Sequence, residues 1–378
     1  MTRRTTTVGA LWCAFLGAVL LGAGLFFDAQ RTWFAYLVAW TFGISICIGA
    51  LLLLMMGHAA KASWMVVTRR VTEAVVGGLP LFAILFVPLC FGLAQLYPWV
   101  LHPDQHKRHY LNPPFFVIRA AFYMATFTAV GTLLRRWSRQ NDERPTMRRV
   151  RLMRMLSGGG LPLVGLATTW ASFDWTMSLQ PGWSSTIFGL YFFAGAMVGA
   201  LALVSVFMNI IRGHGGPPSS MTPDHAQALG RLLFGMVAFW AYMAFSQLLI
   251  YWIADIPEEV TFYSARVEGS WMAVAVLLVC GHFVLPFFAL LSRRYKRRPA
   301  YLATVATWLL FMHFVDLYWL ILPLHDTQGV RPHWTDLGAV LFVGGLSCAW
   351  VLRCYFGGAP VPLHDPQLQE GLDYEAAA

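Results

Sequence analysis

Ten runs of apolar residues, each about twenty residues or longer, dominate this sequence and constrain it more than any other feature. They cover approximately 8–27, 33–56, 75–99, 115–134, 158–179, 184–211, 228–253, 268–292, 301–323 and 335–356. A run of that length is stable as a helix across a bilayer, where each backbone N–H and C=O finds its partner within the segment. At 1.5 Å per residue, about twenty residues cross the ~30 Å hydrocarbon layer. Composition agrees: 58% of the 378 residues are hydrophobic and 12% are charged, where a soluble domain carries about a quarter charged. The expected fold is an all-α polytopic membrane protein with ten transmembrane helices.

The loops set the expected orientation. With the termini and the loops after even-numbered runs on one side, and Arg231 and Arg353 near that end of their runs counted with it, that side holds 21 of the 27 Lys and Arg. The other side holds 5, and Arg119 lies inside the fourth run. Lys and Arg collect in cytoplasmic loops, so both termini are expected in the cytoplasm. The net charge of +9 then reflects topology and anionic lipid rather than nucleic acid. Trp33, Tyr97, Trp99, Trp175, Trp183, Tyr251, Trp252, Trp319 and Trp334 fall near the opposite helix ends, as an interfacial aromatic belt would. The first run is too long for a signal peptide and reads as a retained helix. The longest polar pieces are the basic loop 135–157, the Gly/Pro-rich loop 212–226 and the acidic tail after 357. The tail is expected to be loosely ordered unless a partner holds it. Cys13, Cys47, Cys90, Cys280, Cys348 and Cys354 form no CxxC or CxxCH pattern. The sequence therefore has no iron–sulfur, zinc or c-type haem signature.

Ionisable groups inside the runs are costly and point to function. Asp174 and Asp316 each lie seven residues before a proline that closes a run, roughly 10 Å inside the same end. Arg119 lies about 6 Å inside from that side. Arg119 and Asp174 can form a structural ion pair, which leaves Asp316 in need of another partner and suited to proton work. His282 and His313 lie mid-membrane at depths that agree within roughly 3 Å. Their alternatives are hydrogen-bonded packing, a proton relay and b-type haem ligation. His313 and Asp316 are three apart on one helical face, so the carboxylate can orient the imidazole. Glu73 can pair with Arg69 or Arg70, or stand at a cytoplasmic proton entrance. Tyr242, Ser246 and Gln247 can bond between helices or line a wet path. His102, His106 and His109 share a loop with Lys107 and Arg108 and read as solvated residues.

Five stretches carry a resemblance: "YLNPPFFVIRAAFY" (110–123), "FDWTMSLQPGWSSTIFGLYFFAGA" (173–196), "ALGRLLFGMVAFWAYMAFSQLLIYWIADIPEEVTFY" (228–263), "HFVLPFFALLSR" (282–293) and "YWLILPLH" (318–325). In this order they resemble the NrfD-like (polysulfide-reductase membrane-subunit-like) subunits of alternative complex III, a bacterial quinol:cytochrome c oxidoreductase. The likeness runs nearly the whole chain, down to the "HDPQL" of the tail. It implies a peripheral first helix (1–32), two four-helix bundles (33–183 and 184–324), a peripheral tenth helix (325–356) and a cytoplasmic tail (357–378). It also implies a bacterial inner-membrane location and no cofactor bound in this chain, with quinone or quinol as the ligand in question. The implied partners are a sister NrfD-like subunit, an iron–sulfur/molybdopterin-like subunit, multihaem cytochrome c subunits carrying the haems, and small membrane subunits. The sister subunit has a histidine after the tryptophan that matches Trp183. Here Ser184 stands in that place, so the imidazole that would take a quinol proton is missing.

Three functions follow as expectations. The first is a structural partner of the quinol-oxidising subunit, with a proton path through Glu73, His282, His313, Asp316 and Asp174. The second is a quinol-oxidising subunit in its own right, with Asp174 and Ser184 lining the site. The third is an independent solute transporter, with Pro80, Pro88 and Pro286 marking broken helices.

Overall fold

The computed structural model describes residues 3–213 and 221–376, and among them every regular element is helical. The long helices are α1 (Arg3–Phe27), α2 (Ala29–Ala60), α3 (Arg69–Phe91), α4 (Pro113–Glu143), α5 (Met147–Trp175), α6 (Phe188–Gly213), α7 (Pro223–Ala254), α8 (Trp271–Leu291), α9 (Pro299–Ile321) and α10 (Trp334–Phe356). Nine of them, among the described residues, are long and apolar enough to cross a membrane; α5 is the exception. It has the length, 29 residues or about 43 Å. Its apolar half is diluted by the glycines at 158–160 and by Thr168, Thr169 and Asp174. The chain thus has the helical, multi-pass membrane character its apolar runs require. Part of the Gly/Pro-rich loop 212–226 lies outside the described residues.

The starts and stops follow local chemistry. Asn112 caps α4 by accepting the Phe115 N–H at 3.0 Å, with Pro113 and Pro114 in the first turn, where proline's missing N–H costs nothing. Asp28 caps α2 through the Arg31 N–H at 3.1 Å. α3 consists of two segments that meet at Gly77 and Gly78. The Gly77 carbonyl is taken up by the Trp350 indole at 2.6 Å. In α8, residues Leu278–Val284 are π-helical. Pro286 explains this widening: it has no N–H for a carbonyl one turn back and its ring crowds that turn. The Gly281 carbonyl instead accepts the Trp308 indole N–H at 2.7 Å.

Packing follows the distribution of small residues. α1 lies antiparallel on α10, with Gly17 against Phe342, Gly338 against Leu20, and Gly345 against Ala10 and Ala14. Small residues let two backbones approach where lipid offers no hydrophobic gain. α2 is buried along nearly its whole length and touches α3, α5, α6, α9 and α10. α4 packs on α3 and α5, while α6 packs on α7 and α9. The aromatic belt is only partly lipid-facing. Trp252 and Trp334 are exposed, but Tyr97, Trp99, Trp175 and Trp183 are buried. Trp40 and Trp175 pack edge to face at 4.9 Å, and Tyr97 and Trp99 lie 5.3 Å apart. Their rings fill protein, not headgroup space.

The tail departs from the expectation of loose order. It crosses the end of the bundle that bears the basic loops and is held at each step. Asp365 pairs with Arg69, and Leu363 N–H donates to Asp142 at 3.2 Å. Gln367 donates to the Lys61 carbonyl at 2.7 Å, and His225 Nε2 meets the Gly371 carbonyl at 2.8 Å. The partner that orders the tail is this chain. Burial pushes the Asp365 carboxyl up, but Arg69 and the Gln367 N–H more than offset it, leaving it below the usual carboxylate range. A depressed carboxylate stabilises docking above its unfolded value near ~3.9, and that contribution is lost as pH falls through the lower folded value. Docking should therefore hold between about pH 5 and 8 and fail only in stronger acid. Asp365→Asn leaves Arg69 without its counter-charge, and amide exchange in 363–374 should rise about tenfold or more. Hydrogen-exchange mass spectrometry at neutral pH reads this directly.

Candidate functional site

Two carboxylates expected at the same depth meet opposite surroundings. Asp174, at the end of α5, is fully enclosed. Arg119 of α4 grips it through two hydrogen bonds, Nε to Oδ2 at 2.8 Å and Nη2 to Oδ1 at 2.9 Å. The Tyr123 hydroxyl donates to Oδ2 at 2.9 Å. The guanidinium donates its remaining arm to the Tyr110 carbonyl at 2.8 Å and lies over the Tyr110 ring, 3.8 Å from its centre. Such a two-point contact is the strong form of the Arg–carboxylate pair. Arg119 and Asp174 are therefore brought together, and the carboxylate is fully enclosed with three side-chain hydrogen bonds.

Asp316, in α9, is equally buried but has no cation among the described residues. It accepts the Tyr191 hydroxyl from α6 and the Trp240 indole N–H from α7 at 3.2 Å. The Trp240 ring lies on the His282 imidazole of α8, centres 3.9 Å apart. Neither ring nitrogen of His282 has a protein partner. His313 does not bond Asp316. Its Nε2 meets the Ser45 hydroxyl of α2 at 2.9 Å. Ser45 donates its single proton to the Phe42 carbonyl at 2.9 Å. With the Ser45 proton on the Phe42 carbonyl, Nε2 carries the imidazole proton and Nδ1, which has no partner among the described residues, is an acceptor.

Two glycines make room for this cluster. A Cβ on Gly195 would sit 3.3 Å from His313 Nδ1 and 3.8 Å from Asp316 Oδ2, and one on Gly199 would press on the same imidazole at 2.9 Å. The missing side chain at 195 lets α6 pack closely against a base and a carboxylate of α9. Five helices thus converge on one enclosed polar cluster. The sequence pointed to His282, His313 and Asp316 but missed Tyr191, Trp240 and Ser45. Gly195 and Gly199, four apart on one face of α6, were the available signal.

The other expected residues lie elsewhere. Glu73 is buried at the basic end and accepts Arg70 at 2.6 Å, while Arg70 also holds Asp142 and Ser138. Tyr242 faces outward and Gln247 inward. His102, His106 and His109 are exposed. Ser184 lines a cavity of about 280 Å³ with Phe173, Met177, Gln247 and Tyr251. Asp174 is not among its lining residues. Tyr251 donates to the Ser184 carbonyl at 2.6 Å, and Ile250 opens the cavity to the exterior. Sequence reading also missed two buried arginines. Arg31 bonds Asp336 at 2.6 Å and Asp326 at 3.4 Å. Arg266, on the surface helix Pro257–Val267, has no carboxylate among the described side chains. It donates to the Phe262 and Leu320 carbonyls at 2.7 and 2.6 Å and stacks on Phe262. Burial pulls its guanidinium down to about 9.

The Arg119–Asp174 pair makes a direct test of its structural role. Arg119→Ala strands an enclosed carboxylate and should cost about 3–5 kcal/mol, whereas replacing both residues by leucine should recover most of the loss. Thermal unfolding of the detergent-solubilised variants measures both. No family model matches this chain, and no curated protein matches it either.

Proposed function

We propose that this chain is an ActF-type subunit, the second NrfD-like membrane subunit of an alternative complex III in a bacterial inner membrane. In this reading α5 is the tenth span and both termini are cytoplasmic. The chain is a structural partner of the quinol-oxidising sister subunit and carries a proton path. The packing of α2, α3, α4 and α5, and of α6, α7, α8 and α9, supports two four-helix groups with α1 and α10 outside them. The observation that carries the function is the enclosed, cation-free Asp316, which shares the close approach at Gly195 with the bare Nδ1 of His313. A buried carboxylate without a counter-charge is costly as an anion and readily takes a proton. A proton can pass between Ser45, His313 and Asp316, in either direction, by hydroxyl and imidazole exchange. Glu73 is the entrance at the basic end. Asp174 is not a relay member, because Arg119 and Tyr123 occupy it. In this reading the redox steps occur on the partners' iron–sulfur clusters and c-type haems, and this chain supplies binding and electrostatics.

A second reading, quinol oxidation by this chain, is favoured by the lipid-side cavity at Ser184. Its phenyl, hydroxyl and amide lining suits a quinone ring. It lacks a charged base, and the enclosed Asp174 does not reach it. The transporter reading draws less support. The two interrupted helices spend their freed carbonyls on the Trp350 and Trp308 indoles and not on a central cavity.

Asp316→Asn should preserve assembly and quinol:cytochrome c turnover in reconstituted vesicles while lowering protons moved per electron. An unchanged ratio would remove Asp316 from any proton path. Purification without iron–sulfur and c-type haem partners would remove the complex itself.

A further inference from the structure

α6 and α10 both rest on α2, and between them a cavity of about 420 Å³ is left. Its floor is α2, at Ala39, Phe42 and Gly43, and it opens sideways at Gly344. Along α10 the lining runs from Val340 to Leu352, about 18 Å of helix. That matches the depth of one leaflet, half of the ~30 Å hydrocarbon layer. The lining is almost wholly apolar. The deep end at Ala39, Phe42 and Val340 offers no hydrogen-bonding side chain for a quinone ring.

The shallow end lies at the basic end of the bundle. There Ile210 and Leu352 line the cavity, and Arg212 and Arg353 stand just beyond them. Both arginines are exposed, and neither forms an ion pair among the described residues. An apolar slot about one leaflet deep, with two exposed arginines following its basic-end lining residues in the chain, complements a molecule with a hydrocarbon chain and an anionic head.

We propose that this cavity binds one acyl chain of an anionic phospholipid, with the phosphate held by Arg212 and Arg353. The site is separate from the buried polar cluster, though Phe42 touches both: its ring lies 5.6 Å from the His313 ring. The bound chain fills a void between α6 and α10 whose floor is mainly α2, with Val75 and Phe82 of α3 and Leu310 of α9 beside it. It ties α10, and through it α1, to the rest of the bundle. The proposal needs only the membrane character of the chain and not its membership in a respiratory complex.

Gly344 gives a clean test, because a Cβ there meets nothing within 4 Å. Gly344→Phe should fill the slot without disturbing the helices. The probes are dioleoyl-phosphatidylglycerol and dioleoyl-phosphatidylcholine, added to delipidated protein in the assembly in which it is extracted and counted by native mass spectrometry. Wild type should keep one phosphatidylglycerol, and Gly344→Phe should bind it at least about tenfold more weakly. Arg212→Gln with Arg353→Gln should erase the preference for phosphatidylglycerol over phosphatidylcholine while still binding chains. The arginine variants report independently if Gly344→Phe fails to fold, as monitored by gel filtration. Equal binding by wild type and Gly344→Phe would overturn the proposal. So would an unchanged headgroup preference without the arginines, or a quinone or partner helix in the slot.

Discussion

The structure depends on the lack of a polar face on α2. A helix that is apolar all round has to be surrounded, and α2 is buried from Arg31 to His58 except at a few positions. Its neighbours are therefore dictated in kind. They must come close, and they do so at small residues: Gly49 meets the Ala196 backbone of α6, and Gly43 meets the Phe82 ring of α3. Its outer end is pinned by Arg31 to Asp326 and Asp336, which lie beyond α9 and at the start of α10. Its other end abuts the tail through the Lys61 carbonyl. Both halves of the chain are assembled on this one helix, and Ser45 carries the polar cluster's hydrogen bonding into it.

Around that hub, each buried polar group has a specific answer to the cost of leaving water. Asp174 takes a cation and a phenol. Asp316 takes a phenol and an indole and no cation. The difference sets their chemistry. The two-point Arg119 contact and the Tyr123 hydroxyl enclose the Asp174 carboxylate and tie α4 to α5. Asp316 is satisfied by neutral donors alone, with no cation beside it among the described residues. Two residues of one type at one depth are separated in role by their neighbours alone.

Much of this was legible in the sequence, for physical reasons that also mark its limit. Length and apolarity give a helix on each run, since lipid permits little else. Depth counted along a helix brought Arg119 to Asp174, because both lie near the ends of sequence-adjacent runs. Depth says nothing about rotation, so His313 and Asp316 share a face yet bond to different helices. Tyr191 and Trp240 were hidden for the same reason: each looks like an ordinary membrane aromatic until α6, α7 and α9 are in place. The tail was misjudged because Arg69 and Asp365 are 296 residues apart, and composition cannot reveal a partner at that distance. The π-helical stretch follows from Pro286 only once Trp308 is known to receive the displaced carbonyl.

The handling of the two broken helices bears on how the chain works. A protein that moves substrate by rocking one half against the other keeps its interrupted backbone free to line a cavity. Here the interruptions are closed by side chains from other helices: Trp350 of α10 staples α3, and Trp308 of α9 staples α8. The Trp350 staple joins α10 to α3, and the Trp308 staple stiffens the α8–α9 pair. The tail adds a third tie, from Asp365 on Arg69 to Gly371 on His225, across the start of α3 and the start of α7. A bundle locked in this way is poorly suited to alternating access. It holds Asp316, His313 and Ser45 within one enclosed polar cluster contributed by α2, α6, α7 and α9.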